Sequence, residues 1–366
     1  MKNEELLYAI ALSFVPGLGP KKAKLCVSYC GSAKAVFEAS KSKLLKAPGI
    51  GAKTVEFIQA SDTIDRATKN LEFIEKIGAH AVHFYEDAYP QRLKHFDSSP
   101  LVLYYKGNMM LNHPRTVAII GTRQPTEQGK IICEKIIKGL QPYDVQIISG
   151  LAYGVDTCAH KSAVDQGIPT IGVLGHGLDQ LYPAENRPLS QKMIKNGGVL
   201  TEFSWKSSFD KENFPMRNRI IASMSDVVIV VESKRKGGSI ITAEFANEYN
   251  KDVFAVPGRI TDEVSEGCNN LIKQHKAYLL SKAEDIAYIM RWDEIDKQKT
   301  VQKSLFVELN KEEQIVVDYI KKQEGAVMDE LSQVLKMPSS QVASTLLNLE
   351  FKGVIKALPG KRFILA

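Results

Sequence analysis

The sequence predicts an α/β fold with an extended Rossmann-like, mostly parallel sheet, a helical N-terminal domain and a C-terminal winged helix. In the middle of the chain, apolar runs of strand length alternate with segments of helix length. Before them a Pro-Gly-apolar-Gly pattern followed by lysine occurs twice, and the end of the chain reads as three helices and a hairpin. A chain of 366 residues is also too long for one simple core. We therefore expect domains at 1–80, 81–290 and 311–366, with a linker at 291–310.

The charge of the chain is unevenly distributed. There are 48 Lys and Arg against 42 Asp and Glu, a formal net charge of +6. Residues 1–80 hold twelve basic and eight acidic side chains, whereas residues 113–290 hold twenty-one and twenty. This mild excess is compatible with a polyanionic partner but does not predict one. A nucleic-acid surface in the middle of the chain must therefore come from local clustering of cations.

Cysteine usage and the N-terminus indicate a protein of the cytoplasm. The five cysteines are scattered and never spaced Cys-x-x-Cys, so neither a disulfide framework nor a zinc site is expected. The N-terminal segment lacks the basic n-region and the small-residue cleavage site of a signal peptide. The longest apolar runs, such as 227–231, are too short to span a bilayer. We expect a cytoplasmic protein with no membrane contact, no metal and no cofactor.

The helical N-terminal domain is predicted from the repeated pattern. Pro16–Lys24 and Ala47–Val55 match paired helix–hairpin–helix (SAM-like) units. Their glycines permit a tight turn, and the next helix N-terminus presents free N–H groups that bind a phosphate without reading a base. The candidate phosphate contacts are Gly17, Gly19, Lys21, Gly49, Gly51 and Lys53. The alternative is that the hairpins serve only in packing.

The central domain is predicted from six buried-strand patterns. These are residues 116–121, 145–149, 169–175, 197–203, 226–232 and 252–258. Near-continuous Val and Ile runs that alternate with helices are typical of a parallel sheet covered on both faces. Ahead of them, a connector at about 81–112 contains Ser98–Gly107, a short apolar strand between turn signals.

The loops after the strands carry the functional prediction, because ligands of an open parallel sheet bind at the carboxyl ends of its strands. Three loops are short, glycine-rich and followed by a helix, an arrangement that binds anions. The candidate residues are Gly121, Thr122 and Arg123, then Ser149, Gly150 and Gly154, then Gly237, Gly238 and Ser239. The alternative is that each is only a tight connection between a strand and a helix.

A further segment, Lys211–Arg219, interleaves cations with an aromatic side chain just before a predicted helix. Phosphate contacts beside a ring on which a base can stack are typical of single-strand binding. The candidate residues are Lys211, Phe214, Arg217, Asn218 and Arg219. The alternative is that Phe214 belongs to the core and that the arginines pair with acids inside the domain.

The C-terminal part, residues 311–366, fits three helices and two short strands around Pro359 and Gly360, which describes a winged helix. Residues 291–310 before it are polar and charged, as in a linker. Winged helices often bind duplex DNA. Residues 301–366 hold nine basic and eight acidic side chains, so a protein contact or a structural role is equally compatible with the sequence.

Six sequence blocks resemble the signature of one known family, in its order and spacing. They are VAIIGTR, SGLAYGVDTCAH, TIGVLGHGLDQLYPAENRPL, FPMRNRIIASMS, KGGSIITAEFA and VFAVPGRITDEVSEGCNNLI. The chain resembles the DprA (Smf) family over most of residues 89–280, and the flanking domains fit too. The resemblance implies a homodimeric, non-catalytic protein that binds and protects single-stranded DNA and loads RecA onto it in natural transformation.

Residue roles follow from the same resemblance. Arg123 would hold a phosphate, and Lys211 and Phe214 would contact the backbone and a base. Arg217, Asn218 and Arg219 would line the same pocket. The chain departs from the family pattern at Gly237-Gly238-Ser239, where Ser-Gly-Ser is usual, and at Lys276-Ala277, where Gly-Ala is frequent. The second departure lies near the region through which the family dimerises.

Two other classes of function are compatible with parts of the sequence. Asp156 and His160 lie four residues apart on one predicted helix face and could act as an acid–base pair, but no nucleophile or metal motif accompanies them or His176. KGGSIITAE resembles the turn and glutamate, Glu244 by position, of lysine-decarboxylase-like nucleotide phosphoribohydrolases. The winged helix alone would instead suggest a regulator that prefers duplex DNA.

Overall fold

The computed structural model describes residues 2–59, 62–292, 309–323, 326–335, 337–352, 354–358 and 362–365. The chain separates into two compact units, Met1–Met290 and Arg291–Ala366. Most of the predicted linker at 291–310 lies outside the described residues. Within those residues no helix is long and apolar enough to cross a membrane.

The first unit contains fourteen described α-helices and nine described strands. The helices are α1 (Lys2–Ser13), α2 (Pro20–Cys30), α3 (Ala33–Glu38), α4 (Lys41–Leu44), α5 (Ala52–Gln59), α6 (Asp62–Lys76), α7 (Gln91–Lys94), α8 (Glu127–Leu140), α9 (Val155–Asp165), α10 (Arg187–Met193), α11 (Asn213–Met224), α12 (Gly238–Glu248), α13 (Glu266–Lys273) and α14 (Ala283–Ile289). The strands are β1 (His80–His83), β2 (Val102–Lys106), β3 (Thr116–Ile120), β4 (Gln146–Ser149), β5 (Thr170–Val173), β6 (Gly197–Thr201), β7 (Val227–Val230), β8 (Asp252–Ala255) and β9 (Tyr278–Leu279).

These nine strands form one sheet in the order β1-β2-β6-β5-β4-β3-β7-β8-β9. All neighbouring strands from β6 along this order to β9 pair in parallel. Strands β1 and β2 form an antiparallel edge next to β6. Every residue of β3, β4, β5 and β7 is buried, as their Val and Ile runs predict. The mostly parallel sheet is confirmed. The short strands β1 and β9 were not predicted, because neither has a long apolar run.

The N-terminal helices form the predicted pair of hairpins. Gly17 and Gly49 adopt positive φ angles of 72° and 76° in the turns before α2 and α5, where a residue with a Cβ is strained. Lys21 forms an ion pair with Asp97 at 2.7 Å. The apolar core of these helices continues into β2 through Leu101 and Val102, so the helical region packs on the sheet edge within one unit.

The second unit is a winged helix. Its described elements are α15 (Lys311–Lys322), α16 (Met328–Val334), α17 (Ser339–Phe351), β10 (Ala326–Val327), β11 (Ile355–Leu358) and β12 (Arg362–Leu365), with the sheet order β10-β12-β11. A capping box between Asn310 and Glu313 starts α15, and Lys352 Nζ lies 2.7 Å from a Glu313 carboxylate oxygen. The helix α17 contains no Lys or Arg, so the surface that often reads duplex DNA has no cation of its own.

Candidate functional site

The first unit has a cleft of about 550 Å³ at the carboxyl edge of its parallel strands. The chain runs outward from β3 through β4, β5 and β6, and then returns to place β7 on the other side of β3. Loops on the two sides of such a switch point diverge and leave a crevice between them. The loops after β3 and β7 both line this cleft, so the fold itself creates the site.

The described lining residues give the cleft a basic character. Five are basic and one is acidic: Arg123, Lys211, Arg217, Lys234 and Lys236 against Asp156. Arg123, Lys211 and Lys236 are exposed and form no ion pair with any described residue, while Lys234 pairs with Glu263 at 2.9 Å. The central domain is nearly neutral as a whole, so the charge of this cleft comes from local clustering.

Three aromatic rings form one wall of the cleft. The Phe209 ring centroid lies 5.6 Å from that of Phe214 and 5.2 Å from that of Tyr182, both in edge-to-face orientation. Phe209 and Tyr182 are 47% and 41% exposed, a large apolar area to leave in contact with water. Arg123 lies 5.9 Å from the centroid of the Phe214 ring. The cleft therefore combines cations with open ring faces, the two features that bind single-stranded nucleic acid.

The turn after β3 places Gly121, Thr122 and Arg123 in the cleft lining. A Cβ on Gly121 would overlap the Val155 side chain, so only glycine allows this approach. The predicted helix N-terminus is not open to a ligand, however. Thr126 donates to the carboxylate of Glu232 through its backbone N–H at 2.9 Å and its Oγ1 at 2.6 Å. This carboxylate already occupies the start of α8, so phosphate binding at this turn, which stays a prediction, would depend on Arg123 rather than on the helix N-terminus.

The turn after β4 is also filled by an internal carboxylate. Asp156 Oδ2 accepts hydrogen bonds from the N–H groups of Gly150 at 3.0 Å and Ala152 at 3.3 Å. Ser149 is buried and donates to Ile119 O at 2.6 Å, and Gly154 allows close contact with the Thr122 carbonyl. The predicted contacts Ser149, Gly150 and Gly154 therefore lie beneath the cleft lining, where they hold the two turns together.

The turn after β7 is the one of the three that stays open within the described residues. Its N-cap, Gly237, has no capping side chain, and the first N–H groups of α12 have no partner within the helix. Ser239 is buried and donates to Ser233 Oγ at 2.7 Å, while no atom lies within 4 Å of the Cβ position of Gly238. Gly237, Gly238 and Ser239 all line the cleft, so an anion can approach this backbone closely.

The segment Lys211–Arg219 is largely helical rather than a loop before a helix, since α11 begins at Asn213. Successive residues of a helix are rotated by about 100°, so Arg217 and Arg219 lie on opposite faces. Arg219 points away from the cleft, pairs with Glu202 and donates to Ser98 O at 2.6 Å. The prediction that Arg219 lines the pocket is wrong. Asn218 does line it, with Nδ2 3.5 Å from Gly238 O.

Arg217 reaches the cleft floor but is only 4% exposed. Its guanidinium donates to Gly150 O at 2.6 Å and also to Val173 O. Burial lowers the pKa of Arg217 to about 10, while the nearby Asp156 carboxylate opposes this shift. Burial in turn raises the pKa of Asp156, and Arg217 opposes it. This guanidinium is therefore bound to carbonyl groups at the ends of β4 and β5 and is not free to hold a phosphate.

The residues considered for catalysis are not assembled into a reactive group. His160 is buried, its Nδ1 lies 2.7 Å from Thr170 Oγ1, and burial lowers its pKa to about 3. His176 Nε2 accepts from the Tyr182 N–H at 3.2 Å. Glu244 is exposed on α12 and is not among the residues lining the cleft. Asp156, as described above, ties the start of α9 to the turn after β4.

Several lining residues were missed by the sequence analysis. Lys234 and Lys236 directly precede the predicted Gly237 turn, so their positions offered a signal. Phe209 and Tyr182 lie in long connections after β6 and β5, where no periodic pattern marks a functional side chain. Only the proximity of their rings to Phe214 identifies them.

Replacing Phe209 by leucine tests the aromatic wall. We expect affinity for an oligo-dT to fall by about 1 kcal/mol or more, because stacking on one aromatic ring contributes roughly 1–3 kcal/mol per base. Titration of a labelled oligonucleotide measures this loss. Tyr288, exposed on α14 and outside the cleft lining, provides the control as Tyr288→Leu. Equal affinities of both variants and the unaltered protein would contradict a stacking role.

The fold and the cleft together define a multidomain α/β protein with a basic, aromatic crevice at the switch point of its sheet. Three family models match the chain: DNA recombination-mediator protein A over residues 80–291, a SAM-like helix-hairpin-helix tandem over 9–60, and the DprA winged helix domain over 307–361. The first of these covers more than half of the chain. The chain therefore belongs to the DNA recombination-mediator protein A (DprA/Smf) family.

Individual relatives agree with this assignment. The chain is 41% identical to DNA processing protein DprA of Streptococcus pneumoniae over 63% of this chain and 80% of the relative. The crystal structure of the Streptococcus pneumoniae protein aligns with a TM-score of 0.66 and 33% identity, covering 77% of this chain and 97% of that chain. DNA processing protein A from Helicobacter pylori, whose structure was described for its single-stranded DNA binding mode, aligns with a TM-score of 0.53, 30% identity and coverages of 59% and 96%.

Proposed function

We propose that this protein binds single-stranded DNA in the cleft, protects it there and loads RecA onto it in natural transformation. The observation that carries the proposal is the combination of clustered cations and exposed rings at the switch point of the sheet. Family membership and the single-stranded DNA binding of the Helicobacter pylori relative support it. In this proposal the protein acts in the cytoplasm as a homodimer and performs no catalysis.

The cleft suits a single strand for two physical reasons. A flexible strand can turn its bases toward the Phe209, Tyr182 and Phe214 rings, whereas the bases of a duplex are stacked on one another. The cations meet the phosphates without reading sequence, so binding should be largely independent of sequence. Two clefts in a dimer would hold a longer tract and increase avidity. In this proposal the helix–hairpin–helix residues Gly17, Gly19, Lys21, Gly49, Gly51 and Lys53 remain candidates for auxiliary phosphate contacts, with Lys21 already paired to Asp97.

Fluorescence anisotropy with a labelled oligo-dT and a matched duplex, across a salt series, tests the proposal. We expect preference for the single strand and a slope of log K against log salt of about −2 per cleft, because each of the three exposed cations without an ion pair, Arg123, Lys211 and Lys236, displaces about 0.7 counterions. Duplex preference would transfer the function to the winged helix. Binding to neither would favour the alternative of a nucleotide phosphoribohydrolase. That activity would be detected as release of a free base from a nucleoside monophosphate.

RecA loading requires its own measurement. We expect the protein to accelerate RecA filament formation on single strands already covered by a single-strand-binding protein. A variant that still binds oligo-dT but does not accelerate filament formation would separate the two activities. Absence of acceleration by the unaltered protein would limit the function to binding and protection.

A further inference from the structure

One wall of the cleft has no secondary structure to hold it. Residues 202–212, here called the wall segment, connect β6 to α11 and contain no described helix or strand. The segment carries Phe209 and Lys211, which supply a ring and a cation to the cleft. Because no helix or strand ladder fixes its backbone, contacts from elsewhere must determine where these two side chains lie.

The N-terminal helical region supplies such contacts through α6. The backbone N–H of Trp205 donates to Asn70 Oδ1 at 2.8 Å, and Asn70 is only 2% exposed. The Phe73 ring, one turn further along α6, stacks on the Trp205 indole with centroids 5.1 Å apart and planes 7° apart. Asn70 and Phe73 thus hold the wall segment at Trp205, four residues before Phe209.

The conformation held in this way is an unusual one. Lys206 adopts a φ of 58°, in the left-handed region that residues other than Gly, Asn and Asp rarely occupy. Its Nζ lies 4.4 Å from the Trp205 ring centroid. A segment left to itself would relax from this turn, since the left-handed conformation is unfavourable for a lysine. The contacts at Trp205 therefore stabilise a backbone conformation that Lys206 does not favour by itself. Such stabilised conformations occur at ligand-binding sites.

The other end of the wall segment contacts α11 and the connection that follows β5. Asn213 Nδ2 donates to Ser208 O at 3.0 Å, and the Phe209 ring lies 5.9 Å from the His176 ring. Phe209 is therefore placed between two anchors, one from α6 and one from α11. Loss of the α6 anchor would remove the contacts that hold Trp205, while Glu202 stays paired with Arg219 and Ser208 stays bound to Asn213.

We infer that Asn70 and Phe73 of the N-terminal helical region are positioning residues for single-stranded DNA, which hold the wall segment so that Phe209 and Lys211 face the cleft. This inference rests on the proposed function of the cleft. In this inference the helical region contributes to the affinity for DNA without contacting DNA. Pre-ordering of the wall segment removes an entropy loss that binding would otherwise include.

The first test is Asn70→Ala. We expect the Kd for oligo-dT to rise roughly 3- to 10-fold, the range that corresponds to loss of one net hydrogen bond, and the salt slope to become shallower by about 0.7 as Lys211 loses its position. Thr68→Ala on the exposed face of α6 is the matched control and should bind as the unaltered protein does. Phe73→Leu, which retains apolar bulk but removes the ring, should weaken binding in the same direction.

A double-variant comparison distinguishes positioning from general loss of structure. In a protein that already carries Phe209→Ala and Lys211→Ala, adding Asn70→Ala should change the Kd by less than about 2-fold, because its effect passes through those two side chains. An equal fold-change in both backgrounds would overturn the inference. This comparison also decides the question if Asn70→Ala lowers stability, since a stability effect would appear in both backgrounds.

Tryptophan fluorescence provides a second readout. The chain has two tryptophans, so Trp292→Phe leaves Trp205 as the single one. We expect a titration with oligo-dT to change Trp205 emission, with the same midpoint as the anisotropy titration. We also expect Asn70→Ala to shift Trp205 emission before DNA is added. If the unaltered protein fails to bind oligo-dT, the proposed function itself falls. If it binds while Asn70→Ala and Phe73→Leu bind equally well, only the positioning role is overturned.

Discussion

Replacement of Arg123 by alanine is expected to weaken binding of oligo-dT by about 10- to 100-fold, because hydrogen bonds to charged groups contribute roughly 1.5–3 kcal/mol. Arg123 is exposed at the carboxyl end of β3, lines the cleft and forms no ion pair with a described residue. Since a phosphate contact carries no sequence information, oligonucleotides of different sequence should lose affinity equally. The salt slope should become shallower by about 0.7.

Arg66 provides the matched control for this experiment. It is exposed on α6, where it lies near Phe14 and Asp62, and it is not among the cleft-lining residues. Arg66→Ala removes the same charge from the chain, so a nonspecific effect of net charge would appear in both variants. An unchanged Kd for a folded Arg123→Ala protein would show that DNA binds elsewhere.

Replacement of Arg217 by methionine is expected to destabilise the protein rather than only weaken its grip on DNA. The Arg217 guanidinium holds the carbonyl groups of Gly150 and Val173 and lies close to the buried Asp156 carboxylate. Removing one partner of a buried charge pair leaves the other charge uncompensated and typically lowers the free energy of unfolding by about 3–5 kcal/mol. Denaturant unfolding followed by circular dichroism measures this loss.

The loss of stability in Arg217→Met should depend on pH. Burial raises the pKa of Asp156 and Arg217 lowers it, so without Arg217 this pKa rises further. A carboxyl group whose folded-state pKa exceeds its unfolded value binds more protons when folded, so stability decreases as pH rises above the unfolded pKa of about 4. The deficit relative to the unaltered protein should therefore be larger at pH 7 than at pH 5.

A second substitution checks the cause of the destabilisation. Arg217→Met combined with Asp156→Asn removes both charges and should recover part of the lost stability, because no carboxylate remains buried without its cation. The pH dependence should then also diminish. No recovery, together with a deficit that is the same at pH 5 and pH 7, would contradict the assignment of Arg217 as the cation that balances Asp156.

Much of the candidate site could be predicted from local sequence because it follows directly from strand ends. The Val and Ile runs of β3 and β7 predict buried parallel strands, and the residues just after them enter the cleft by the geometry of the sheet. Arg123 and Gly237 are therefore both found by counting from a strand end. Lys211 and Phe214 were predicted because cations and an aromatic residue occur together just before a predicted helix.

The residues that were wrongly placed depend on partners far away in the chain. Glu232 is 106 residues from Thr126 and occupies the start of α8, so a local pattern could not show that this helix end is closed. Arg219 was assigned to the cleft because it is close to Arg217 in sequence. The helical register of α11 turns it to the opposite side, toward Glu202.

The sequence by itself determined the fold class, the three kinds of domain and the strand ends whose loops line the cleft. These features rest on periodicity and on glycine turns, which are local properties of the chain. The tertiary structure alone decided which cations stay free, which carboxylates close a helix end, and which rings from long connections meet at the cleft. It also placed α6 against Trp205. These depend on pairing between residues that are distant in sequence, and such pairing is established only when the chain folds.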